Sequence, residues 1–352
     1  MITWESLPLF NFNLIFLITT LVTIITFSFI LKQKFIYKVF KPRIRERDIH
    51  STFKPKVGGL VIIPLFNLSL ILLHIFGLMY LNSSLVGVMI GSFFVFVYGF
   101  LDEKYDLSWK YQLIIQIIIA LTLVFFGITI KSVMLPYGEI LFFDQMKLSL
   151  FSTDIYFLQV ILTVFWIVGL MNVLNWLDGL DGLAGGVGVI GFIILFVLSI
   201  TTFVNQINIA YLSIVLAGLY LGFLFFNFYP SKIFLGTLGS MFLGYILGSL
   251  SIISGGKIAT ISLVLAFPII DACIVIIQRI LANQSIFKAD NRHFHYKLLQ
   301  IGISQKKSVI IMYGISLIFG LSALFFKTNG KIGIFSIGII FLFLYSFRFF
   351  KK

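Results

Sequence analysis

The sequence predicts an all-α integral membrane protein, a polytopic helical bundle of about 11 transmembrane helices that forms one domain over residues 1–352. Composition is the first observation: 60% of the residues are hydrophobic and only 11% are charged, less than half the charge of a typical soluble domain. The second is the recurrence of apolar runs near the length that crosses a bilayer, about 20 residues. These features exclude a soluble enzyme, a disordered chain and a nucleic-acid-binding protein. The single cysteine, Cys273, excludes a disulfide framework.

Eleven apolar runs predict the helices in order. They cover residues 12–31, 58–80, 84–101, 111–130, 156–171, 184–204, 208–228, 238–254, 258–281, 308–326 and 332–348. The runs are continuous rather than alternating, which favours helices over barrel strands. The run at 156–171 is the shortest and the least typical of a span. The first run has Glu5 in place of a basic leader and is followed by a basic stretch, so we expect a retained helix rather than a signal peptide.

Lysine and arginine are distributed unevenly between the runs. If all eleven runs span and the N-terminus lies outside, 21 of the 26 basic residues fall on the inner face. Because positive residues are retained on the cytoplasmic side, this bias predicts an external N-terminus and a cytoplasmic C-terminus. Eight of the 13 acidic residues fall on the same inner face. A protein that served only as a membrane barrier would not need acidic residues on this face. Their position therefore favours a site that handles phosphates and a divalent metal.

The first polar motif, residues 101–110, lies where one run ends and the next begins. Asp102, Asp106 and Lys110 are spaced so that a continuous helix would align them along one stripe. Adjacent acids at Asp102 and Glu103 are costly at a membrane edge unless they have a function. The alternative interpretation is a solvated turn in which Asp106 begins a helix and pairs with Lys110.

The second motif, residues 172–186, repeats a polar residue every three positions. The repeated residues are Asn172, Asn175, Asp178 and Asp181. In a straight helix each step of three drifts by about 60°, so the first and last would face opposite ways. Gly179 and Gly182 allow the chain to leave the helix and turn these groups inward. Carboxylate and amide oxygens of this kind are typical ligands of a hard cation; the alternative is a hinge loop with capping residues.

Two further inner segments carry candidate phosphate-binding groups. Small residues in the segment 236–240 would let backbone N–H groups approach a phosphate, although helix packing explains them equally well. In the loop 282–307, Arg292, His293 and His295 form a cationic patch suited to a diphosphate, and the two histidines share a face only if the chain is extended. The alternative is simple anchoring by positive charge. Asp271, an acid within an apolar run, is either functional or a partner of a loop cation such as Arg279.

Taken in order, these loops resemble the polyprenyl-phosphate N-acetylhexosamine-1-phosphate transferases, and the WecA and TagO branch more than the MraY branch. The resemblance extends from Gly58-Gly59 to about Gly302, and residues 172–186 are its most specific part. It implies a Mg²⁺-dependent enzyme of the bacterial cytoplasmic membrane with its active site facing the cytoplasm. Such an enzyme transfers a sugar-1-phosphate from a UDP-N-acetylhexosamine such as UDP-GlcNAc to polyprenyl (undecaprenyl) phosphate. It releases UMP and initiates the synthesis of lipid-linked cell-envelope glycans.

The resemblance also implies residue roles. The matching catalytic acids are Asp102, Glu103, Asp178 and Asp181. The matching Mg²⁺ ligands are Asn175, Asp178 and Asp181. The matching substrate-binding residues are Asn172, Asn175, Lys110, Arg292, His293 and His295.

Three positions depart from the family pattern. The paired acid is usually Asp-Asp and here includes Glu103, and a further histidine of the family loop is replaced by Tyr296. The third departure matters most, because the family places a metal-binding aspartate where this chain has neutral Thr237. A second hypothesis is therefore a catalytically impaired member that binds a lipid phosphate or a nucleotide sugar. A membrane transporter is the third, disfavoured because the charges lie in loops on one face and no repeat is evident.

Overall fold

A computed structural model of the chain describes residues 9–33, 54–135, 139–144, 147–150, 153–201, 204–255, 257–285, 292–326 and 329–339. Glu5, most of the basic stretch 32–57, Asp290 and the end of the last apolar run lie outside these ranges.

Helices form nearly all of the described structure, and the described part of each predicted apolar run overlaps one of them or a bent pair. The helices are α1 (Leu9–Leu31), α2 (Gly58–Ile75), α3 (Ser83–Tyr105), α4 (Trp109–Phe125), α5 (Phe157–Leu177), α6 (Leu183–Ser199), α7 (Ile207–Asn227), α8 (Gly236–Ile253), α9 (Ile258–Val264), α10 (Ala266–Leu281), α11 (Phe294–Gln300), α12 (Gln305–Phe325) and α13 (329–339). The shortest predicted run, 156–171, is in fact part of the 21-residue helix α5.

Seven of the described helices are long and apolar enough to cross a membrane, and the bent pair α9–α10 would make an eighth. Helices α4 and α6 are apolar but only 17 residues long each. The polytopic helical bundle is therefore confirmed. The count of eleven spans and the orientation of the termini stay predictions.

The run at 258–281, predicted as one span, is broken into α9 and α10 with a bend of 77°. Pro268 lies in the first turn of α10, where its missing N–H leaves no helical hydrogen bond unmade. Because of this bend, α10 runs in a different direction from α9. Asp271 consequently points from the second turn of α10 towards the segment that begins α11, where His293 lies.

Two small antiparallel hairpins between α4 and α5 were not anticipated by the sequence. Strands β1 (Ser132–Met134) and β2 (Ile140–Phe142) form one, and strands β3 (Lys147–Leu150) and β4 (Thr153–Tyr156) form the other. They occupy the connection that the topology prediction places on the outer face, at the end of the molecule away from the acidic loops.

Close approach of helices at glycines positions the inner loops. Helices α7 and α8 are buried almost all round, which is typical of helices inside a bundle. A β-carbon added at Gly59 of α2 would lie 2.5 Å from the backbone nitrogen of Gly239, and one at Gly99 of α3 would lie 2.6 Å from Leu238 Cα. Only glycine permits these approaches. They bring the ends of α2 and α3 against the first turn of α8.

Candidate active site at the first turn of helix α8

Two acids from distant parts of the chain meet the start of α8. Gly236 begins this helix with φ +77°, and its backbone N–H donates to the carboxylate of Asp178. Two residues further along the same turn, the Leu238 N–H donates to Glu103 Oε1 over 3.4 Å. The first N–H groups of a helix have no partners within it and carry partial positive charge. The arrangement therefore stabilises both carboxylates at one helix terminus.

The surroundings of Asp178 strongly shift the pKa of its carboxyl group. It lies in the turn after α5, and burial raises the pKa of its carboxyl to about 8. The neighbouring charge of Asp181 raises that pKa further, whereas Lys56 and the Gly236 N–H oppose the rise. A cation added beside this carboxyl group would therefore interact with it strongly.

Asp181 is buried and held by protein groups on both oxygens. Ser231 donates twice, from its hydroxyl to Oδ1 over 2.7 Å and from its backbone N–H to Oδ2 over 3.0 Å. Lys54 Nζ lies 3.4 Å from Oδ2 and donates to the Ser231 hydroxyl over 3.0 Å. The orientation of Asp181 is consequently fixed before any ligand binds.

The turn that carries Asp178 and Asp181 is itself braced. Gly182, with φ +84°, ends the turn and donates its N–H to Asn227 Oδ1 over 3.0 Å. Asn227 in turn donates to the carbonyl of Ile233 over 2.9 Å, which joins the turn to the segment before α8. From the other side, Tyr313 of α12 donates to the Gly182 carbonyl, and its ring fits a notch left by Gly186.

The stripe predicted for Asp102, Asp106 and Lys110 is not formed. Helix α3 ends at Tyr105 and is capped by Asp106, whose φ is +56°, and α4 begins only at Trp109, so no continuous helix joins the three residues. Asp102 is buried and accepts from Gln112 Nε2 over 2.9 Å. Lys110 is exposed with its Nζ 5.8 Å from the centre of the Trp109 ring, and the structure does not bring it to the buried acids. The segment is a turn, as the alternative interpretation predicts, but Asp106 caps the end of α3 and does not begin the next helix.

The two asparagines of the second motif face neighbouring helices. Asn172 donates to Gln116 Oε1 of α4 over 2.7 Å, and Asn175 Oδ1 accepts from the Ser240 hydroxyl of α8 over 3.0 Å. As predicted, the chain leaves the helix after these residues. Gly179, however, is needed for space rather than for its backbone freedom, because a β-carbon there would lie 2.6 Å from His295 Nε2.

The histidine segment packs against the Asp178 turn. His293 has an extended backbone and precedes α11, and its ring stacks parallel to that of His295 at 5.7 Å between centroids. His293 Nδ1 lies 2.8 Å from Asp271 Oδ2, so the partner of Asp271 is a histidine rather than the anticipated Arg279. The backbone N–H of Phe294 donates to the other oxygen of Asp271.

The cationic patch predicted for Arg292, His293 and His295 carries less positive charge than expected. Burial, with a smaller effect of the neighbouring His293, lowers the pKa of His295 to about 3, so this ring is neutral at physiological pH. Its Nε2 atom is buried without a hydrogen-bond partner. Arg292 supplies a permanent charge and donates to Gln284 Oε1 over 2.6 Å.

Among the described residues, no group of three His, Cys, Asp or Glu side chains is close enough to hold a metal ion. Thr237, half-buried in the first turn of α8, adds no charge there. Oxygen donors are present, because Glu103 Oε2 is buried without a hydrogen-bond partner and Asp178 lies across the same turn. The donor set fits a Mg²⁺ ion that one or two carboxylates share with substrate phosphates, which is the usual arrangement for this ion.

Several residues of the site were missed by sequence reasoning. They are Lys54, Lys56, Asn227, Ser231 and Tyr313. The first two were assigned to the positive-inside bias. The available signal was their place in Lys54-Pro55-Lys56, directly before Gly58-Gly59. The other three lie outside every motif in the sequence and are recognised only from their contacts.

Known proteins match this chain over most of its length. The family model described as glycosyl transferase family 4 matches residues 85–255. A probable undecaprenyl-phosphate N-acetylglucosaminyl 1-phosphate transferase of Bacillus subtilis (strain 168) is 32% identical over 317 residues, 88% of this chain and 84% of that protein. A decaprenyl-phosphate N-acetylglucosaminephosphotransferase of Mycobacterium tuberculosis (strain H37Rv) is 30% identical over 80% of this chain and 75% of its own length. A phospho-N-acetylmuramoyl-pentapeptide-transferase of Anoxybacillus flavithermus is 28% identical over 92% of this chain and 98% of its own length.

Proposed function

This chain belongs to glycosyl transferase family 4, the polyprenyl-phosphate hexosamine-1-phosphate transferases, and from that premise we propose that it transfers N-acetylglucosamine-1-phosphate from UDP-GlcNAc to a polyprenyl phosphate. The products are UMP and a lipid-linked sugar diphosphate that begins an envelope glycan. We further propose that the site faces the cytoplasm at the inner membrane of a bacterium, where a lipid phosphate and a cytosolic nucleotide sugar can both reach it.

One observation carries this proposal. Carboxylates from α3 and from the turn after α5, Glu103 and Asp178, both accept N–H groups from the first turn of α8. Acids gathered at the end of a bundle, near the buried Lys54 and the half-buried Lys56, suit a reaction between two phosphates. Such a reaction depends mainly on positioning and on electrostatic stabilisation.

In the proposed reaction an oxygen of the lipid phosphate attacks the sugar-bearing phosphorus of UDP-GlcNAc. The bond from that phosphorus to the bridging oxygen breaks, and UMP leaves with the bridging oxygen. In this proposal Asp102, which accepts a hydrogen bond from Gln112, contacts the attacking phosphate. Asp181, fixed by Ser231 and Lys54, orients the nucleotide side.

Mg²⁺ is part of the proposal. Asp178, Asp181 and Asn175 are the residues that would hold the ion together with the substrate phosphates. When bound, the ion would offset the repulsion between the two phosphate anions. The support from this chain is the hard-oxygen character of these side chains and the raised pKa of Asp178.

The test is exchange of labelled UMP into UDP-GlcNAc by purified protein with polyprenyl phosphate and Mg²⁺. We expect exchange by the wild type and at least a hundredfold loss in Asp178→Asn, because an amide cannot replace the carboxylate at the α8 terminus. Asp144→Asn, the same substitution at an exposed position between β2 and β3, should exchange at the wild-type rate. Full activity in Asp178→Asn would contradict the assignment.

Thr237 supports a second candidate, a family member that binds these substrates with impaired catalysis. The residue stands in the first turn of α8, beside both acids, and supplies no carboxylate. The discriminating variant is Thr237→Asp. A wild type without exchange, together with a variant that gains it, would favour the impaired member; an active wild type would exclude it.

A further inference from the structure

Lys56 is fixed beside the first turn of α8 by backbone pairing. Phe234 N–H donates to the Pro55 carbonyl over 3.0 Å, and Gly58 N–H donates to the Phe234 carbonyl over the same distance. Gly59 N–H continues the pairing to Leu235 over 3.2 Å. Lys56 therefore cannot move away from this turn without breaking the connection between the two segments.

The place of its side chain is defined by Gly236. A β-carbon at Gly236 would lie 3.2 Å from Lys56 Cβ and would collide with Glu103 Oε1. Lys56 and Glu103 thus flank the same backbone position, from which the N–H of Gly236 reaches Asp178.

The charge of Lys56 acts on both acids of this turn. It attracts the carboxylates of Glu103 and Asp178, which lie around Gly236 as Lys56 does. Within the described residues no ion pair of 4 Å or less joins Lys56 to either acid, so this attraction acts over a longer distance.

We propose that Lys56 is a positioning cation at the first turn of α8, beside the carboxylates of Glu103 and Asp178, and that its charge competes there with a divalent metal. The inference rests on the proposed transferase function for its catalytic meaning. It explains how the turn tolerates two buried acids beside a neutral Thr237. It also predicts that this chain binds free metal weakly and recruits the ion together with the substrate phosphates.

The test measures Mn²⁺ binding to the purified protein by electron paramagnetic resonance, without any substrate. We expect Lys56→Met to bind Mn²⁺ about tenfold more tightly than the wild type, because a repelling charge has been removed. Lys56→Arg should bind like the wild type. Lys104→Met is the matched control: it makes the same charge change at an exposed residue next to Glu103 in sequence and should leave binding unchanged.

UMP exchange is then titrated with Mg²⁺ for each variant. Lys56→Met should need less Mg²⁺ for half its maximal rate, and Lys56→Arg should restore the wild-type requirement. If Lys56→Met does not yield folded protein by gel filtration, Lys56→Gln replaces it. Equal or weaker Mn²⁺ binding by Lys56→Met than by the wild type would overturn the proposal. A complete lack of Mn²⁺ binding in every variant, including Thr237→Asp, would also overturn it. Absence of exchange in the wild type would contradict the transferase function alone, since metal binding is measured separately.

Discussion

At the scale of single residues, the site is built from buried polar groups that hold one another in place. Asp181 illustrates this, since Ser231 and Lys54 occupy its oxygens before substrate arrives. Several charge-assisted hydrogen bonds hold a carboxylate in one orientation. The consequence is a site whose geometry exists in the absence of ligand.

His295 allows a test at the same scale. The folded chain keeps this ring neutral down to about pH 3, whereas the unfolded chain binds a proton near pH 6.5. Between these values protons favour the unfolded chain, so the free energy of unfolding should fall as the pH drops below 6.5. We expect the melting temperature in detergent to fall from pH 7 to pH 5, and to fall less in His295→Gln.

The control for this experiment is His74→Gln, the same change at a histidine of α2 that lies outside the site. It should retain the wild-type dependence on pH. An unchanged slope in His295→Gln would show that the buried ring does not contribute to acid sensitivity.

At the scale of helices, contacts at glycines determine whether the acids meet α8. Gly59 and Gly99 let α2 and α3 approach the first turns of α8 closely enough for their loops to share one site. The hydrogen bonds of Asn172 and Asn175 then fix α5 against α4 and α8. The geometry of the site therefore depends directly on how closely these helices pack.

Gly59→Ala should lower stability and activity together. Its added methyl group would lie 2.5 Å from the Gly239 nitrogen, where backbone must shift, and overpacking of this kind costs about 1–3 kcal/mol. The measurement is the apparent melting temperature in detergent alongside UMP exchange. Gly169→Ala, on a face of α5 where a β-carbon meets nothing within 4 Å, should leave both unchanged or slightly raise the melting temperature. Equal losses in the two variants would refute the packing explanation.

The helices were predictable from the sequence because each needs only a continuous apolar run. The turn after α5 was predictable too, since Gly179 and Gly182 interrupt a polar repeat. Lys56, Ser231 and Tyr313 were not, because their roles depend on contacts between segments about 50 to 180 residues apart in the chain. The break between α9 and α10 was also missed, as hydropathy is continuous across it.

At the scale of the whole molecule, the acids and cations gather at one end of the bundle and the two hairpins lie at the other. Gly236, Asp178, Glu103 and Lys56 share the first end. The positive-inside bias predicts that this end faces the cytoplasm. Such a polarity matches a lipid substrate approached from the bilayer and a nucleotide sugar approached from the cytosol.

This orientation can be measured with single cysteines in a Cys273→Ser background. A cysteine at exposed Asp144, near the hairpins, should react with a membrane-impermeant maleimide in intact cells. A cysteine at exposed Lys232, in the loop before α8, should react only after the cells are lysed. The reverse pattern would place the candidate site on the outer face and remove its access to nucleotide sugars.

The pairing of Pro55 and Gly58 with Phe234 joins an early segment to one that emerges from the ribosome almost 180 residues later. His295 closes against Gly179 later still. A nascent chain therefore inserts several helices before the segments that form the candidate site can meet. We expect truncation before His295 to leave membrane-embedded fragments in which the candidate site is incomplete.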